Sequence, residues 1–585
     1  MDQFDPHPSN SCPLTPLTYL ERASLVYGEC TSIVYNNSIT YTWSDTHFRC
    51  LKLASSISSL GIQRGDVVSV VAPNVPAMYE LQFAVPMAGA VINNINTRLD
   101  ARTISVILQH AESKLVFIDY QLRSVVLEAI ALFPSNLKAP ILILIQDEDE
   151  DGISEIESCF YDTYEGLMKK SGKNCEGFEW IRPKSEWDPM TLNYTSGTTA
   201  SPKGVLHSHR AIFMATFNSL TDWPLPKQPV YLWTLPMFHS NGWSFTWAMA
   251  AVGGVNICLR KLDANIIYSA INTHNVTHMC AAPVVLNMLI NFSLAQPLKN
   301  PVQFLTGGAS PPAAVLQRAE CLGFVVIHGY GLTEVGCVVV SCAWKPKWDV
   351  LPAGERHKLK ARQGIRSLGL TDLDVIDAET GKSVKRDGTT MGEIVLRGGS
   401  VMLGYFKNSK GTSNCMKEDG WLYTGDVGVI HPDGYLEIKD RSKDIIISGG
   451  ENVSSVEVES VLYTNPAVNE AAVVARPDDY WGETPCAFIS LKENIVNQKP
   501  NEKEIIGFCR ERLPHYMSPK TVVFMDELPK SATGKIQKAS LREVAKNMGS
   551  LPAANTNSKN VNNDDEVKNK KEEEEEELKN GHMIC

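Results

Sequence analysis

The sequence predicts an α/β protein: a large N-terminal layered α/β domain with a small β module, followed by a smaller C-terminal α+β domain. Short β-branched apolar runs alternate with helical stretches from Thr18 to about Leu436, a pattern typical of sheets covered by helices. Shorter alternating strands end this region, and a compact mixed segment follows it. The chain has 585 residues, 43% of them hydrophobic, which is enough apolar surface for a large core and excludes a wholly disordered chain.

The first predicted elements are strands that are apolar along nearly their whole length. Residues 65–73 form such a run, and the helix-like stretch 76–91 follows it. Further strands of this kind are predicted at 114–119, 141–146, 231–236 and 324–331. A strand that is apolar throughout fits a position with helices on both faces, so these segments predict one large layered core.

Two later segments, 392–398 and 433–441, alternate apolar and polar residues and carry Gly or Asp-Gly punctuation, as hairpin strands do. They predict the small β module. After Arg441 the pattern indicates a helix at 453–462, strands at 470–476 and 486–491, a helix from Glu502 and a strand at 521–526. We therefore divide the chain into a large domain at 1–440, a C-terminal domain at 441–545 and a tail at 546–585.

Charge and cysteine usage exclude several classes of function. The formal net charge is −11, from 55 basic and 66 acidic residues, and no basic patch indicates a nucleic-acid partner. Part of the acidic excess is the run Glu572–Glu577 in the tail, which has too little apolar content to offset its ordering entropy and is expected to be disordered. The 14 cysteines form no Cys-x-x-Cys pair, which argues against a zinc site and a disulfide frame.

No segment predicts a membrane span or a signal peptide. No stretch reaches about 18 uninterrupted apolar residues. The N-terminal residues include acids and prolines, where a signal peptide has a basic start and an apolar stretch. The final residues His-Met-Ile-Cys are not a Ser-Lys-Leu-type peroxisomal address. We expect a cytosolic protein, monomeric or homodimeric.

The strongest local signal is the run YTSGTTASPKG from Tyr194 to Gly204. Backbone N–H groups, hydroxyls and the Lys203 ammonium in such a loop suit a polyphosphate. The spacing is not that of a P-loop, because Gly204 follows the lysine instead of preceding it. The alternative is a solvated Ser/Thr/Gly linker.

A second signal lies at the end of an apolar strand, where residues 328–334 read HGYGLTE; the small-residue turn TGGASPP begins at Thr306. Ligands bind at strand ends of open α/β sheets. Tyr330 is therefore a candidate to face a purine, and Glu334 a candidate to reach a cation. The alternatives are a tyrosine packed in the core and a glutamate that merely begins a helix.

Three further segments combine charge with turn residues: YTGDVG at 423–428, DRSKD at 440–444 and LPKSATGKI at 528–536. A carboxylate at Asp426 and cations at Arg441 and Lys443 suit ribose hydroxyls and phosphate. Lys535 follows a glycine on a loop. The alternatives are surface hairpins, exposed ion pairs and a lysine that only aids solubility.

In this order and over this length, the motifs together resemble the adenylate-forming superfamily of acyl-CoA synthetases. The chain resembles most the plant acyl-activating enzymes for short-chain, medium-chain or aromatic acids. The likeness runs from about Thr18 to about Arg542, and the phosphate loop, YGLTE, YTGD and PKSATGK are specific as a set. It implies an acid–CoA ligase in which the carboxylate attacks the α-phosphate of MgATP, after which CoA displaces AMP.

The resemblance assigns the nucleotide contacts. The β- and γ-phosphates would be wrapped by Thr195, Ser196, Gly197, Thr198, Thr199 and Lys203. The adenine slot would be formed by Gly308, Ala309, His328, Gly329, Tyr330 and Gly331. Mg²⁺ would be held by Glu334, the α-phosphate by Thr333, and the ribose by Asp426 with Arg441 and Lys443 assisting. Catalytic roles would fall to Lys535, Glu334, Thr198 and His239.

The resemblance also implies a moving C-terminal domain. Lys535 would bridge the acyl carboxylate and the α-phosphate, cancelling charge as it concentrates there. Because this lysine would stand where the thiol must arrive, the domain must rotate between half-reactions, with Asp440 as the hinge. The backbone of Gly449 and Gly450 would then face the pantetheine arm of CoA. Lys261 is the candidate for the CoA phosphates.

The acid pocket is predicted from residues near two of these turns. Its candidates are His239, Asn241, Gly242, Trp243, Gly307 and Val335. Bulky apolar walls favour a short, branched or compact acid over a long chain. His239 matches a family aromatic that gates access, and its alternative is a packed ring.

The sequence departs from the family pattern at two places, and three alternative functions stay open. Ala200 stands where many relatives have glycine, and ISGGEN at 447–452 lacks the lysine-rich stretch of cinnamate-type ligases. The alternatives are a benzoate- or cinnamate-type ligase, an adenylating enzyme with a non-CoA acceptor, and a nucleotide-binding scaffold without catalysis. Lys535→Ala is predicted to impair adenylation more than thioester formation.

Overall fold

The computed structural model describes a defined part of the chain. The described residues are 7, 9–36, 38–146, 157–170, 177–195, 202–223, 225–309, 311, 313–492, 499–531 and 534–552. Four residues of the predicted phosphate loop, Ser196, Gly197, Thr198 and Thr199, lie outside them, as does the tail from 553. None of the helices within the described ranges combines the length and the apolar content needed to cross a bilayer.

The chain forms two compact units. The first, unit 1, is Met1–Lys443 together with Pro529–Gln537. The second, unit 2, is Asp444–Leu528 together with Lys538–Cys585. The loop that carries Lys535 therefore belongs to unit 1, although the chain on both sides of it belongs to unit 2.

The helical segments are, in chain order, α1 (Thr18–Val26), α2 (Trp43–Ser59), α3 (Pro76–Met87), α4 (Ala101–Ala111), α5 (Arg123–Ala131), α6 (Tyr164–Lys170), α7 (His209–Asp222), α8 (Ser240–Trp243), α9 (Phe245–Val252), α10 (Ala264–His274), α11 (Pro283–Asn291), α12 (Ala313–Cys321), α13 (Ala353–Lys360), α14 (Ser409–Cys415), α15 (Ser455–Leu462), α16 (Glu502–Arg510) and α17 (Lys538–Asn547). Single 3₁₀ turns lie at Tyr120–Leu122, Thr333–Val335 and Pro346–Trp348.

The strands are, in chain order, β1 (Thr31–Tyr35), β2 (Ile39–Thr42), β3 (Val67–Val71), β4 (Val91–Asn94), β5 (Leu115–Asp119), β6 (Ile141–Ile145), β7 (Asp162–Thr163), β8 (Pro189–Thr195), β9 (Lys203–Ser208), β10 (Val230–Trp233), β11 (Val255–Cys258), β12 (His278–Ala281), β13 (Val302–Gly307), β14 (Phe324–Tyr330), β15 (Val340–Ser341), β16 (Ile365–Arg366), β17 (Leu370–Ile376), β18 (Gly392–Gly398), β19 (Gly404–Tyr405), β20 (Leu422–Ile430), β21 (Leu436–Arg441), β22 (Ile446–Ser448), β23 (Glu451–Val453), β24 (Val468–Asp478), β25 (Gly482–Leu491) and β26 (Thr521–Phe524).

Two mainly parallel sheets form the body of unit 1. One has the strand order β19-β9-β8-β4-β3-β5-β6-β7, the other β16-β15-β14-β13-β12-β10-β11-β1-β2. The strand β3 is buried along its whole length, and α3 is buried on every side although it includes the polar residues Glu80 and Gln82. A single large cluster joins these residues to Trp233 and Trp247, so the layered core predicted from the sequence is confirmed.

A four-stranded antiparallel sheet, ordered β17-β18-β20-β21, is the predicted small β module. Its strand β18 spans the predicted range 392–398, and β21 begins at Leu436 after an Asp-Gly turn. Unit 2 has a five-stranded sheet in which β24 and β25 form a long hairpin and β26 adds in parallel to β25. With α15 and α16, this is the α+β arrangement predicted for the C-terminal region.

Local signals explain where several helices begin. Thr42 and Asp45 form a capping box at the start of α2, and Asn501 and Glu504 form another at α16. The α3 helix begins at a proline, whose missing N–H has no helical partner to lose. These caps place helix starts where the sequence carries polar or proline residues ahead of apolar runs.

Candidate active site

The phosphate-loop residues are carried by a hairpin between β8 and β9. Thr195 ends β8 and Lys203 begins β9, and the two are register partners. The residues between them up to Ser201 lie outside the described part of the chain. The Lys203 Nζ lies 4.8 Å from the centroid of the Tyr405 ring. An ammonium at this distance from an aromatic face is attracted by the ring quadrupole.

Tyr405 also contacts the predicted metal ligand. Its hydroxyl donates to Glu334 Oε1 over 2.7 Å, and the Glu334 carbonyl accepts from the Met402 backbone N–H over 2.8 Å. Burial, followed by the Glu334 carboxylate, raises the pKa of Tyr405 far above its ordinary value. One tyrosine thus holds both the phosphate-loop lysine and the glutamate of YGLTE. The sequence reasoning missed Tyr405, since nothing in the Gly404-Tyr405 dipeptide predicts this contact.

The ends of β13 and β14 bring the glycine-rich turns together. Gly307 and Gly329 are register partners, and a Cβ on Gly307 would lie 3.0 Å from the Gly329 carbonyl oxygen. A Cβ on Gly329 would lie 2.5 Å from Val338 Cγ1, and one on Gly331 would lie 1.9 Å from the Cys337 carbonyl oxygen. Glycine is required at Gly329 and Gly331 because the segment after Glu334 packs directly on the strand.

Tyr330, Asp426 and Arg441 form a connected polar group. The Tyr330 hydroxyl donates to Asp426 Oδ2 over 2.7 Å. Asp426 on β20 and Arg441 on β21 are register partners, with Nε 3.4 Å from Oδ1. Burial and the neighbouring Asp426 raise the pKa of Tyr330 well above its ordinary value, so it remains a neutral donor.

Lys535 lies beside this group and against the first glycine turn. Its Cε lies 3.0 Å, and its Nζ 3.5 Å, from the position that a Cβ on Gly308 would occupy. Gly308 has a φ of +85°, a conformation that favours glycine. Burial, with the Arg441 charge adding to it and Asp426 opposing it, lowers the pKa of Lys535 to about 8.

A glycine before Lys535 lets its loop approach the body of unit 1. Gly534 has a φ of +80°, and a Cβ there would lie 2.3 Å from Val284 Cγ1 on α11. The loop is closed by the Ser531 N–H donating to the Lys535 carbonyl and by the Gln537 N–H donating to the Pro529 carbonyl. These contacts of the described residues 529–531 and 534–537 hold the Lys535 side chain against Gly308.

Two buried histidines of the site are neutral. Burial lowers the pKa of His328 to about 4, and its Nδ1 lies 3.1 Å from the Ala361 carbonyl oxygen. Burial and the Lys535 ammonium lower the pKa of His239 to about 4. His239 immediately precedes the α8 turn. The effect of the Lys535 charge on its pKa shows that the two side chains lie near each other.

The remaining acid-pocket candidates lie on or next to this turn. A Cβ on Gly307 would lie 3.2 Å from the Trp243 ring, so the indole covers the end of β13. A Cβ on Gly242 would lie 2.6 Å from the Trp233 ring. Asn241 and Val335 are buried. Trp243 is therefore placed as a wall close to the Lys535 end of the site.

The remaining predicted residues lie in several different surroundings. Lys261 is exposed between β11 and α10, and no described contact joins it to the site. Lys443 is exposed two residues after β21. Asp440 is buried in β21, where its carboxylate accepts from the Arg441 N–H over 2.9 Å. Ala309 is exposed, and Thr333 begins a 3₁₀ turn that its carbonyl closes onto the Gly336 N–H.

Gly449 and Gly450 form the turn between β22 and β23 in unit 2. Both have positive φ, +61° and +87°. A Cβ on Gly449 would lie 2.5 Å from the Trp481 ring, whereas Gly450 has open space around it. Their predicted contact with CoA stays a prediction.

Comparison with known proteins identifies the family and the fold of this chain. The family model described as "AMP-binding enzyme" matches residues 20–406, and "AMP-binding enzyme C-terminal domain" matches residues 457–535. Among solved structures, an anthranilate CoA ligase in complex with anthranoyl-AMP is 25% identical with a TM-score of 0.78, covering 91% of this chain and 98% of that one.

Curated relatives are similar over nearly the whole chain. A 2-methylpropanoate–CoA ligase of Humulus lupulus is 63% identical over 560 residues, which is 96% of this chain and 100% of the relative. The Arabidopsis thaliana protein "Probable acyl-activating enzyme 6" is 62% identical over 552 residues, 94% of this chain and 99% of the relative. This chain therefore belongs to the AMP-binding enzyme family and is an AMP-forming acid–CoA ligase.

Proposed function

We propose that this ligase converts a short branched carboxylic acid of the 2-methylpropanoate type into its CoA thioester, using MgATP. The observation that carries the proposal is the 63% identity, over the full length of the relative, to a 2-methylpropanoate–CoA ligase. The position of the Trp243 ring beside Gly307, next to the glycine that Lys535 contacts, supports it, since a bulky apolar side chain there favours a compact acid.

The nucleotide side of the site supplies hydrogen bonds and charge but no nucleophile. Asp426 accepts ribose hydroxyls, held in place by the Tyr330 hydroxyl and by Arg441 across the strand pair. Lys203 brings positive charge to the polyphosphate at the start of β9. Fixed donors and cations of this kind stabilise phosphoryl oxygens without reorganising during the reaction.

Lys535 acts where the acid and the α-phosphate meet. Its ammonium, partly buried beside Gly308, lowers the repulsion between the incoming carboxylate and the phosphate. An approach of two anions is the main electrostatic barrier to adenylation, so the position of this charge matters more than its ability to transfer a proton. Removing one preorganised donor of this kind commonly costs about 10² to 10³ in rate.

The residues present fit a magnesium ion. Mg²⁺ usually binds through one or two carboxylates together with substrate phosphates, and Glu334 offers one carboxylate. Tyr405 donates to its Oε1, and no hydrogen bond from the described residues reaches its Oε2. Glu334 would hold the ion, which supplies positive charge to the phosphates when bound.

A panel of acids tests the substrate. The purified full-length protein is given MgATP, CoA and, in turn, acetate, 2-methylpropanoate, 2- and 3-methylbutanoate, hexanoate, octanoate, benzoate and cinnamate. Pyrophosphate release gives the rate, and mass spectrometry identifies the thioester. The proposal expects the highest kcat/KM for a branched acid of four or five carbons. A higher value for benzoate, cinnamate or octanoate would overturn it.

A further inference from the structure

The turn that carries the acid-pocket candidates has an unusual backbone. Five consecutive residues have positive φ: Ser240 at 38°, Asn241 at 44°, Gly242 at 57°, Trp243 at 47° and Ser244 at 68°. The α8 segment is thus a left-handed turn. Only Gly242 and Asn241 adopt this region readily, and for serine and tryptophan it is strained. Such a turn persists only where surrounding contacts hold it.

The Asn241 side chain supplies two of those contacts. Its Nδ2 donates to Gln82 Oε1 over 2.8 Å, and its Oδ1 accepts from Asn193 Nδ2 over 2.6 Å. Gln82 and Asn94 in turn form a reciprocal amide pair, with distances of 3.2 Å and 3.0 Å. We call Gln82, Asn94, Asn193 and Asn241 the amide network. All four side chains are at most 4% exposed.

The amide network joins two ends of the active site. Asn193 lies on β8, two residues before Thr195, where the phosphate loop begins. Asn241 lies between His239 and Trp243, which are placed at the acid side. The other end of the turn is held too, because Ser244 Oγ donates to the Gly336 carbonyl over 3.2 Å, two residues after Glu334. The Asn193 Oδ1 atom has no hydrogen-bond partner among the described residues, but every side chain of the network is bonded to another member. A buried network of such hydrogen bonds favours one geometry of the turn.

We propose that Asn241 is a positioning residue for adenylation: through the amide network it holds the left-handed turn, and with it His239 and Trp243, in fixed register with the strand that leads to the phosphate loop. The proposal rests on the function proposed above. Asn241 itself need not touch the acid or ATP. Its amide keeps the acid wall at the distance from the α-phosphate that in-line attack requires.

The decisive variant is Asn241→Gly, which tolerates the left-handed backbone but removes both side-chain hydrogen bonds. The matched control is Asn275→Gly, since Asn275 also has a left-handed conformation, with a φ of 52°, at the end of α10 and outside the site. Gln82→Met replaces the side chain by one of nearly the same size. It removes the α3 amide whose Oε1 accepts the hydrogen bond from Asn241 Nδ2. The double variant that combines Asn241→Gly with Gln82→Met completes a double-mutant cycle.

We expect Asn241→Gly to raise the KM for 2-methylpropanoate about 10-fold while the KM for ATP changes less than about 3-fold. The preference for 2-methylpropanoate over acetate should fall in parallel. Gln82→Met should give the same pattern, and the double variant should lose little more than either single one, because the two side chains act as one unit. Asn275→Gly should behave as wild type.

An unchanged acid KM and an unchanged preference in a folded Asn241→Gly protein would overturn the proposal, as would equal increases in the KM for acid and for ATP. If thermal melting shows that Asn241→Gly does not fold, Gln82→Met decides by the same criteria. Wild-type protein that releases no pyrophosphate with any acid would instead contradict the proposed function, which keeps the two failures distinct.

Discussion

Asp426 and Arg441 are register partners across β20 and β21, and the Arg441 Nε lies 3.4 Å from Asp426 Oδ1 while Tyr330 donates to the other carboxylate oxygen over 2.7 Å. The same four-stranded sheet contains a second pair of this type, Asp372 and Arg397, with Nη2 2.6 Å from Oδ2. The second pair is exposed, whereas Asp426 is buried next to Lys535. The ribose contact proposed for Asp426 concerns the first pair, and the second pair serves as its control.

Asp426→Asn should raise the KM for ATP about 10- to 100-fold, because hydrogen bonds to a charged acceptor contribute about 1.5–3 kcal/mol. The measurement is pyrophosphate release as a function of ATP concentration. With 2′-deoxy-ATP and 3′-deoxy-ATP the difference between variant and wild type should shrink. Asp372→Asn should leave the KM unchanged, and equal effects of the two substitutions would contradict a ribose contact at Asp426.

Lys535 should give the enzyme a basic pH limit. Burial and Arg441 lower its pKa to about 8, so the ammonium is present below that pH and is lost as the pH rises through it. The kcat/KM for ATP in the adenylation step should fall above about pH 8, since this parameter reports the free enzyme. Lys535→Arg should abolish the fall, because guanidinium stays charged.

Lys535→Ala should lower acyl-adenylate formation about 10² to 10³-fold and affect the conversion of supplied acyl-adenylate to thioester far less. The two half-reactions are measured separately, by pyrophosphate release and by thioester formation. Lys546→Ala, on an exposed part of α17, is the control. If Lys535→Ala forms acyl-adenylate at the wild-type rate, the catalytic role proposed for Lys535 is wrong.

Tyr405→Phe should separate the two contacts of this tyrosine. The ring under Lys203 remains, but the hydroxyl that donates to Glu334 is lost, so the Mg²⁺ concentration for half-maximal rate should change by about 10-fold. Tyr405→Leu, which also removes the ring, should in addition raise the KM for ATP. Tyr161→Phe, at an exposed position, is the control. Identical profiles for Tyr405→Phe and wild type would show that the hydroxyl does not act on the metal site.

Trp243→Ala should lengthen the acid pocket. Removal of the ring that covers Gly307 opens space in which each added CH₂ contributes about 0.8 kcal/mol. The ratio of kcat/KM for hexanoate to that for 2-methylpropanoate should rise about 10-fold or more. Trp187→Ala, at an exposed tryptophan, is the control. An unchanged ratio in folded protein would place the end of the pocket elsewhere.

Asp222 should make stability depend on pH. Burial raises its pKa to about 6 from 3.8, and its Oδ2 has no hydrogen-bond partner among the described residues. A group with a raised pKa contributes stability below about pH 4 that is lost as the pH rises through 6. The stability of Asp222→Asn relative to wild type should therefore increase by up to about 2 kcal/mol between pH 4 and pH 7. Thermal melts of wild type and Asp222→Asn across this pH range check this, and a pH-independent difference between the two would contradict it.

Many elements of the fold could be predicted because their signal is local. The strands at 65–73, 114–119 and 141–146 correspond to β3, β5 and β6, since runs of β-branched apolar residues stay extended wherever both faces are buried. The helix predicted from Glu502 begins there, because Asn501 and Glu504 cap it. The motifs also identified Lys203, Glu334, Asp426 and Lys535 as chemically special before any geometry was known.

The contacts that connect those residues were not predictable from local sequence. Tyr405 lies 71 positions from Glu334, and Asn241 lies 159 from Gln82, so no periodicity or spacing relates them. The left-handed turn at Ser240–Ser244 was missed as well, because only one of its five residues is glycine. The roles of all the predicted site residues stay predictions, including those of Ser196, Gly197, Thr198, Thr199, Lys261, Lys443, Gly449, Gly450 and the hinge at Asp440.

The sequence by itself determined the class of chemistry, because the phosphate loop, YGLTE, YTGD and PKSATGK occur together in the order of the adenylate-forming family, although each motif alone has an ordinary structural explanation. It also determined the layered α/β architecture, because apolar periodicity is a property of neighbouring residues. Only the tertiary structure decided which charges meet and how the acid wall is held. Those contacts form between strands and turns far apart in the chain, and their geometry depends on packing that no short segment encodes.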